Sequence, residues 1–479
     1  MRLRELMGSA GIAAPGDAGP EITGLAYDSR AAGPGTLFFA VPGFTSDGHD
    51  FAPRAIEQGA AALVVQRPLG LGVPEVVVPS VRTVMAPVAA AFHGDPTARL
   101  DVVGITGTNG KTTTAFLVRA LLEAAGRQTG LLGTVTSVVG GVRREVQRTT
   151  PEAIDLQRDF AAMVQGGDVA CAMEVSSHAL ELHRADAIHW AVALFTNLTQ
   201  DHLDFHPTME DYFAAKRRLF EAGPRAAVIN LDDPYGRRLA TDFPDARTFS
   251  LGGQDADLVA RDVRTGLQGS TFSVDGLEVR SPLPGRFNVA NVLGAIAAAR
   301  ALGVDDATIA AALPRAGRVP GRFEPVEEGQ PFAVLVDYAH TPDSLENVLR
   351  AARDLTERRV VTVFGCGGDR DRGKRPVMGE LARRLSDHTV VTSDNPRSED
   401  PGAIIGEIVA GAGTGPDLEA IEDRRAAIAR AVELAEPGDV VVVAGKGHEQ
   451  GQELAGGRKV PFDDVAVARE ALRGAPSRT

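Results

Sequence analysis

Short apolar runs alternate with amphipathic stretches along the chain. The runs TLFFAVPG (36–43), VACAMEVSS (169–177) and DVVVVAGKG (439–447) lie between polar or turn-forming residues, which predicts buried strands. TPDSLENVLRAARDL (341–355) instead repeats apolar residues at helical spacing. Strands that alternate with helices in this way predict an α/β fold with a mostly parallel sheet covered on both faces.

This alternation divides the chain into three predicted domains. Residues 1–98 form a small N-terminal α/β domain, which ends where Gly94 and Pro96 interrupt the pattern. Residues 99–318 begin with the strand LDVVGIT, a glycine loop and a helix, and we expect a central domain with a P-loop-type, mostly parallel sheet. Residues 319–479 repeat the alternation, which predicts a Rossmann-like doubly wound C-terminal domain.

Composition and charge narrow the class of protein. With 479 residues, 44% hydrophobic and 24% charged, the chain is typical of a globular protein of about three domains. A net charge of −13 argues against nucleic-acid binding, and no apolar run approaches the length of a membrane span. Cys171 and Cys366 have no metal-ligand spacing and fit a reducing compartment. We expect a cytoplasmic protein and, without a coiled-coil pattern, a monomer.

The segment GITGTNGKTTTAF (104–116) has the features of a phosphate-binding loop. A strand, a glycine loop and a helix follow one another, and the N–H groups at a helix N-terminus attract anions. Lys111 would reach the β- and γ-phosphates, and Thr112 would ligate Mg²⁺. The spacing differs from G-x-x-x-x-G-K-[ST], because Ile105 stands where the first glycine is usual. A chance match therefore stays open at this point.

Polar residues at and after the end of the apolar run VACAMEVSS are further candidate site residues. Glu174 ends the strand, so it is either a ligand of Mg²⁺ or a solvated carboxylate. Ser176, His178 and Arg184 are suited to contact phosphate or sugar. No G-x-S-x-G element surrounds the serines, which excludes a serine-hydrolase site.

For the next polar segments, a role without function is open as well. Asp201 and His202 are candidate ligands, but such a pair is usually structural. From periodicity alone, Lys216 is a solvated lysine on an amphipathic helix. Asn288 and Asn291 lie three positions apart, so they share a helix face or act as capping residues.

Several of these segments together resemble one enzyme family. GTNGKTT resembles the ATP site of the Mur ligases and of the related folylpolyglutamate synthetases, in which the loop is shorter than in motor-type ATPases. MEVSSHALELHR, the N-x-x-x-D-H segment followed by A-A-K, GRFE, DYAHTPDSL, DNPR and GKGHE are similar to Mur ligase motifs, as are YDSR and GFTSDGHDF near the N-terminus. These motifs extend from residue 27 to residue 449, in one order.

The resemblance implies an ATP-dependent amide ligase. D-N-P-R is typical of the Mur ligases that add diaminopimelate to UDP-N-acetylmuramoyl-L-alanyl-D-glutamate (the UDP-MurNAc-dipeptide) through an acyl phosphate. The implied cofactors are ATP, two Mg²⁺ ions and a carbamylated Lys216. The implied catalytic residues are Lys111, Glu174, His202 and Lys216. The implied metal ligands are Thr112, Glu174, His202 and Lys216.

The resemblance also implies three binding sites. The ATP site comprises Gly107, Thr108, Asn109, Gly110, Lys111, Thr112, Thr113, Asn288, Asn291, Arg322, Asp337 and His340. The UDP-substrate site comprises Tyr27, Ser29, Phe44, Thr45, Ser46, Thr149, Thr150, Ser176, Leu182 and Arg184. The diaminopimelate site comprises Arg370, Asp394, Asn395, Pro396, Arg397, Gly445 and Glu449. Leu182 departs from the family, since glutamine can stand there, which puts one substrate hydrogen bond in question.

Other functions remain as alternatives. A lysine-adding Mur ligase would differ at the arginine of D-N-P-R, and a folylpolyglutamate synthetase needs no UDP-binding domain. A nucleotide-switch protein belongs to another class, but a GTPase would carry an N-K-x-D motif, which this sequence lacks. A carbohydrate-binding module without catalysis would not need Lys111, Thr112 and Glu174.

Overall fold

The computed structural model describes residues 1–13, 18–253 and 255–474. The chain forms two compact units. The first contains Met1–Thr106, Gly126–Leu194 and Ala214–Ala227. The second contains Gly107–Ala125, Phe195–Phe213 and the chain from Val228 onward. None of the helices in the described ranges combines the length and the apolar character that crossing a membrane requires.

The strands of the described residues are as follows. They are β1 Gly24–Ala26, β2 Thr36–Phe39, β3 Ala60–Val65, β4 Glu75–Val77, β5 Asp101–Thr106, β6 Thr129–Leu132, β7 Ser137–Val139, β8 Val142–Arg144, β9 Ala170–Glu174, β10 Trp190–Phe195, β11 Ala226–Asn230, β12 Arg247–Ser250, β13 Leu258–Val259, β14 Arg261–Gly266, β15 Gly269–Val274, β16 Leu277–Ser281, β17 Glu324–Pro325, β18 Ala333–Asp337, β19 Val360–Phe364, β20 His388–Val391, β21 Leu418–Ala420, β22 Val440–Ala444, β23 Gly451–Leu454 and β24 Arg458–Pro461.

The α-helices connect and cover these strands. They are α1 Leu3–Ser9, α2 Ala52–Glu57, α3 Val81–Phe92, α4 Lys111–Ala124, α5 Ala153–Gln165, α6 Ser177–Glu181, α7 Met209–Glu221, α8 Pro234–Asp242, α9 Arg286–Ala301, α10 Asp306–Ala312, α11 Pro342–Arg353, α12 Lys374–Leu385, α13 Pro401–Ala412, α14 Arg424–Leu434 and α15 Asp464–Gly474.

The first unit contains two sets of paired strands. Strands β1, β2, β3 and β4 form a four-stranded parallel sheet in that order. The second set has the order β10-β5-β9-β6-β7-β8, in which β9 pairs in parallel with both β5 and β6, and β7 and β8 continue it antiparallel. Because β5 and β9 are parallel, their carboxyl ends, Thr106 and Glu174, lie at the same edge of the sheet.

The second unit contains the predicted doubly wound sheet. Its order is β17-β18-β22-β19-β20-β21, and every pair except β17–β18 is parallel. Strands β11, β12 and β13 also pair in parallel, and β23–β24 form a hairpin. The antiparallel sheet β14–β15–β16 was not predicted, since its strands carry many polar, exposed residues.

Alternating side chains place the C-terminal sheet between two apolar cores. Val440 and Val442 of β22 lie in the core that contains residues of α11, α12 and α13. Val441 and Val443 point to the opposite face, whose core contains residues of α14 and α15. A strand buried on both faces has no polar side and reads as a continuous apolar run, which is how the sequence predicted it. Each fully buried valine stabilises the fold by about 1.5–3 kcal/mol.

Candidate active site

The glycine loop connects the end of β5 to the start of α4, and two of its glycines are sterically required. Gly107 and Gly110 have φ angles of 148° and 86°. A Cβ atom at Gly107 would lie 1.9 Å from Oγ1 of Thr196, and one at Gly110 would lie 2.3 Å from Oδ1 of Asn291. Neither position has room for a side chain, so the short form of the loop depends on glycine at both.

Lys111 is the first residue of α4, and its ammonium group folds back over the loop. Its Nζ donates to the carbonyl oxygens of Gly107 and Thr108, at 2.9 and 2.8 Å. Thr112 and Thr113 follow in the first turn and are buried. The 14-residue helix therefore presents its positive N-terminal end at the loop, together with a cation, which is the arrangement that a polyphosphate requires.

The structure brings three further predicted ATP-site residues to this loop. Nη2 of Arg322 donates to Oγ1 of Thr112 at 3.1 Å. Asn288 and Asn291 share one face of α9, and Nδ2 of Asn291 donates to Oδ1 of Asn288 at 3.0 Å. Asn291 is also the neighbour of Gly110, so the asparagine pair lies beside the loop.

Asp337 and His340 fix the chain around Arg322. Oδ2 of Asp337 accepts the Phe323 N–H at 2.7 Å, and the guanidinium carbon of Arg322 lies 4.4 Å from the centroid of the Tyr338 ring. Burial raises the pKa of Asp337 to about 6, although Arg322 and the backbone N–H donors oppose the shift. Nδ1 of His340 lies 2.8 Å from the Tyr338 carbonyl oxygen, and burial lowers its pKa. Asp337 therefore positions Arg322 through the backbone.

His202 belongs to a cluster that also touches the loop. Its Nε2 lies 3.3 Å from Oδ2 of Asp201, and its backbone is left-handed, with a φ of 55°. The His202 ring meets the Tyr212 ring edge-on, with centroids 5.9 Å apart. The Tyr212 hydroxyl lies 3.2 Å from Oγ1 of Thr108. The Asp201–His202 pair is therefore linked to the glycine loop through one aromatic ring.

Two candidate site residues are buried, although the sequence left open that their side chains are solvated. Lys216 on α7 has 1% exposure, which excludes the interpretation that it is a solvated lysine. Glu174 at the end of β9 also has 1% exposure. Its Oε1 accepts the Thr134 N–H at 2.7 Å, and its Oε2 accepts the Thr134 hydroxyl at 3.0 Å. Both are costly burials for charged groups and are typical of functional positions.

The predicted UDP-substrate residues of the first unit meet around Thr150. Its Oγ1 donates to the Glu174 carbonyl oxygen at 2.9 Å and accepts the Ser176 N–H at 3.1 Å. The Thr149 hydroxyl lies 3.1 Å from the Thr134 hydroxyl. Nη1 of Arg184 is 3.5 Å from the Thr150 carbonyl oxygen. These side chains form one polar cluster behind the end of β9.

Glu152 adds a carboxylate to this cluster, and sequence reasoning missed it. It is buried, and its oxygens lie 2.6 Å from Nη1 of Arg148, 3.0 Å from Nε of Arg184 and 3.7 Å from Nη1 of Arg82. Three guanidinium groups around one carboxylate leave a net positive charge. Such a group suits an anionic substrate. In the sequence, only the position of Glu152, two residues after the predicted Thr149–Thr150 pair, pointed to it.

The remaining UDP-substrate candidates lie elsewhere in the first unit. The Tyr27 hydroxyl donates to Oδ2 of Asp155 at 2.6 Å, and burial raises its pKa. Ser29 is buried at the start of a 3₁₀ turn. Leu182 caps the C-terminal end of α6. The exposed turn of residues 43–46 carries Phe44, Thr45 and Ser46.

The predicted diaminopimelate residues of the second unit surround a buried lysine. Nζ of Lys446 donates to Oδ1 of Asn395 and to Oε2 of Glu449, both at 2.8 Å, and lies 3.4 Å from Oδ1 of Asp394. Nδ2 of Asn395 also donates to Oε2 of Glu449, at 2.9 Å. A Cβ atom at Gly445 would lie 2.9 Å from Oδ2 of Asp394. Lys446 lies within the GKGHE motif but was not among the predicted diaminopimelate residues.

Arg397 stands at the end of the same loop, after Pro396. Its Nη1 donates to the Gly368 carbonyl oxygen at 2.7 Å, and its Nε donates to Oε2 of Glu453 at 3.1 Å. Arg370 is exposed, and its Nη1 donates to the carbonyl oxygen of Asp369. Of the two predicted arginines, Arg397 is therefore the one held in a defined position.

The fold and the site together define an α/β enzyme with a nucleotide-type phosphate loop. Three family models match in succession: "Mur ligase family, catalytic domain" over residues 21–93, "Mur ligase middle domain" over 105–299 and "Mur ligase, glutamate ligase domain" over 321–447. The chain belongs to the Mur ligase family and is an ATP-dependent, ADP-forming amide ligase. The predictions of the family and of a three-domain α/β fold are confirmed; the predicted domain limits stay predictions.

Two relatives and one solved structure give the similarity in detail. The chain is 49% identical to a UDP-N-acetylmuramoyl-L-alanyl-D-glutamate–2,6-diaminopimelate ligase of Streptomyces coelicolor, over 98% of this chain and 96% of the relative. It is 47% identical to the enzyme of the same name from Syntrophomonas wolfei, with 95% of each chain covered. A solved structure of a ligase with this name is 34% identical, covers 99% of both chains and has a TM-score of 0.71.

Proposed function

We propose that this enzyme adds diaminopimelate to UDP-N-acetylmuramoyl-L-alanyl-D-glutamate, as its relatives' names state of them. The observation that carries the proposal is the hydrogen-bonded group of Asn395, Arg397 and Glu449 in the second unit. It offers a guanidinium group and a carboxylate that are joined through one hydrogen-bonded loop. The far end of diaminopimelate carries a carboxylate and an ammonium group, whereas the far end of lysine carries an ammonium group alone. A group of side chains that offers both a guanidinium group and a carboxylate therefore suits diaminopimelate.

The reaction follows from the chemistry of a carboxylate. A carboxylate is not attacked by an amine at neutral pH, so its oxygen first attacks the γ-phosphorus of ATP, and ADP leaves. The amine of diaminopimelate then attacks the resulting acyl phosphate, and the tetrahedral intermediate expels phosphate. Lys111 and the N-terminus of α4 stabilise the negative charge on the phosphates, and Arg322 lies beside Thr112 for the same purpose.

The residues proposed for Mg²⁺ fit the ion chemically. Thr112 offers a hydroxyl and Glu174 a carboxylate, and oxygen donors are what Mg²⁺ prefers. Among the described residues, no group of three or more His, Cys, Asp or Glu side chains suits a metal. From the resemblance to the Mur ligases we propose as candidate Mg²⁺ ligands Thr112 and His202 in the second unit, and Glu174 and a carbamate on Lys216 in the first. When bound, two Mg²⁺ ions would neutralise phosphate charge.

A carbamylated Lys216 predicts a specific rescue. Replacing Lys216 by alanine is expected to lower kcat about a hundredfold. The variant lacks the carbamate anion that would hold a Mg²⁺ ion, and this ion would neutralise phosphate charge. Millimolar acetate or formate is expected to restore part of the activity of this variant by taking the carbamate's place. The measurement is the rate of phosphate release with and without the acid, with Lys111→Ala as the control that the acid must not rescue. Rescue of both variants, or of neither, would contradict the assignment.

The proposed function is tested by a coupling assay with parallel amino acids. ATP, UDP-MurNAc-dipeptide and either diaminopimelate isomers or lysine are supplied, and phosphate release and tripeptide formation are measured. We expect product only with diaminopimelate. Tripeptide formed equally well with lysine would favour a lysine-adding ligase, and glutamate added to a folate would favour a folylpolyglutamate synthetase. ATP turnover without any amino acid would favour a nucleotide-switch protein.

The wider role follows from the same reaction. We propose that the enzyme works in the cytoplasm, since ATP and a charged nucleotide-sugar do not cross membranes unaided. We also propose that it works as a monomer, because its sequence has no coiled-coil pattern. Its product is a precursor of peptidoglycan, so loss of the enzyme is expected to affect cell shape and cell division. The polar cluster around Thr150 and Glu152 is proposed to hold the dipeptide's carboxylates and the UDP-sugar.

A further inference from the structure

Arg397 has an unusual backbone for an arginine. Its φ is 53°, in the left-handed region that residues with a side chain rarely occupy because Cβ crowds the backbone. The loop therefore needs partners that hold this conformation. The main one is strand β23, since the Arg397 N–H donates to the carbonyl oxygen of Glu453 at 3.1 Å.

Glu453 contacts the DNPR loop with three of its groups. Its N–H donates to Oδ1 of Asn395 at 2.9 Å, and its carbonyl oxygen accepts the Arg397 N–H. Its side-chain Oε2 accepts Nε–H of Arg397 at 3.1 Å. The neighbouring Gln452 adds a bond from Nε2 to the Asp394 carbonyl oxygen at 2.6 Å. The β23–β24 hairpin is thus fastened to the loop that carries the predicted specificity arginine.

These bonds leave one side of the guanidinium group available. Glu453 takes Nε–H and the Gly368 carbonyl oxygen takes one N–H of Nη1. Within the part of the chain that the structure describes, Nη2 donates to no acceptor. A carboxylate binds a guanidinium group best through two parallel N–H donors. Nη1 keeps one N–H and Nη2 keeps both, so donors remain for such a pair.

We propose that Glu453 is a positioning residue for diaminopimelate selection, because it holds Arg397 by Nε and directs the Nη1–Nη2 side to the substrate carboxylate. The proposal rests on the proposed function. Glu453 acts through Arg397 and not on the reacting atoms, so it influences the KM for diaminopimelate and leaves the chemical step unchanged. Its carboxylate also forms an ion pair with Arg397 and partly neutralises its charge.

The test compares two substitutions at this position in the coupling assay with the full chain. Glu453→Ala removes the acceptor and is expected to raise the KM for diaminopimelate about tenfold, with kcat and the KM for ATP within about twofold of wild type. Glu453→Gln keeps an oxygen acceptor for Nε–H and is expected to stay within about threefold. Lys459→Ala, opposite Glu453 in the hairpin, is the matched control and is expected to behave as wild type.

A double substitution separates positioning from general loss of structure. In an Arg397→Ala background, Glu453→Ala is expected to have no further effect on the KM for diaminopimelate, because its target is gone. A tenfold effect that persists there, or a KM that is unchanged or lower in the single variant, overturns the proposal. If Glu453→Ala does not fold, Glu453→Met keeps the length of the side chain and carries the same expectation. A wild-type enzyme that does not couple diaminopimelate contradicts the proposed function instead.

Discussion

Replacing Lys111 by alanine is expected to lower the rate of ligation about a thousandfold while the fold persists. The Lys111 ammonium group is the cation of the glycine loop, and it stands at the positive end of α4. Without it, the proposed phosphate site loses the positive charge that Lys111 supplies to the loop. The lysine is only partly buried, so its removal leaves the loop carbonyl oxygens to water and creates no cavity in the apolar core.

The measurements are the rate of phosphate release and the thermal unfolding midpoint of the same preparation. Lys459→Ala is the control, because it removes a lysine from an exposed strand of the second unit. We expect wild-type turnover for this control and a melting midpoint within a few degrees of wild type for both variants. Near-normal turnover in a folded Lys111→Ala protein would exclude the loop as the triphosphate site.

The glycine loop shows how far sequence reasoning reaches. The spacing of Gly107, Gly110 and Lys111 after an apolar strand predicted the loop, and the structure has the strand, the left-handed glycines and the helix in those places. The contact between Asn109 and Asp343 could not be predicted, because the two residues are 234 positions apart. Periodicity describes one element at a time and gives no information on which distant side chains meet.

Burial of charged residues was the least predictable feature. Lys216 has the sequence environment of a solvated lysine, but it is buried. Arg375 is fully buried and bonds to Glu399 and Glu407, and Arg424 is fully buried against Asp464. A charged residue can be buried only where partners from other elements surround it. Those partners are set by tertiary packing, so the residue type suggests exposure until the packing is known.

The resemblance to Mur ligases supplied the residues that periodicity could not. It singled out Arg397, whose place directly after Pro396 is equally typical of a solvated turn residue, and the structure shows this arginine bonded to Gly368 and Glu453. It assigned no role to Glu152, Lys446 or Glu453, whose charged groups pair with other side chains of the protein. Such residues are recognised from their contacts, because their partners come from distant parts of the chain.

Arg397→Ala is expected to remove the preference for diaminopimelate, mainly through loss of diaminopimelate turnover. Truncating one partner of a desolvated charge pair costs roughly 2–5 kcal/mol, which corresponds to about a thirty- to several-thousand-fold decrease in kcat/KM. We expect the wild type to reject lysine, because lysine would leave the Arg397 guanidinium group without a carboxylate partner. The variant gains no new contact with lysine, so lysine turnover is expected to stay low.

The experiment measures kcat/KM for diaminopimelate and for lysine in the wild type and in Arg397→Ala, with Arg458→Ala as the control. Arg458 is exposed at the start of β24, so this control removes one positive charge from the neighbouring hairpin without touching the DNPR loop. The KM for ATP should stay unchanged in both variants, since the glycine loop is intact. If Arg397→Ala uses diaminopimelate within about threefold of wild type, the difference is under about 1 kcal/mol, and the distal carboxylate is read by another residue. Arg370 in the adjacent loop of residues 368–371 would then be the next guanidinium group to replace.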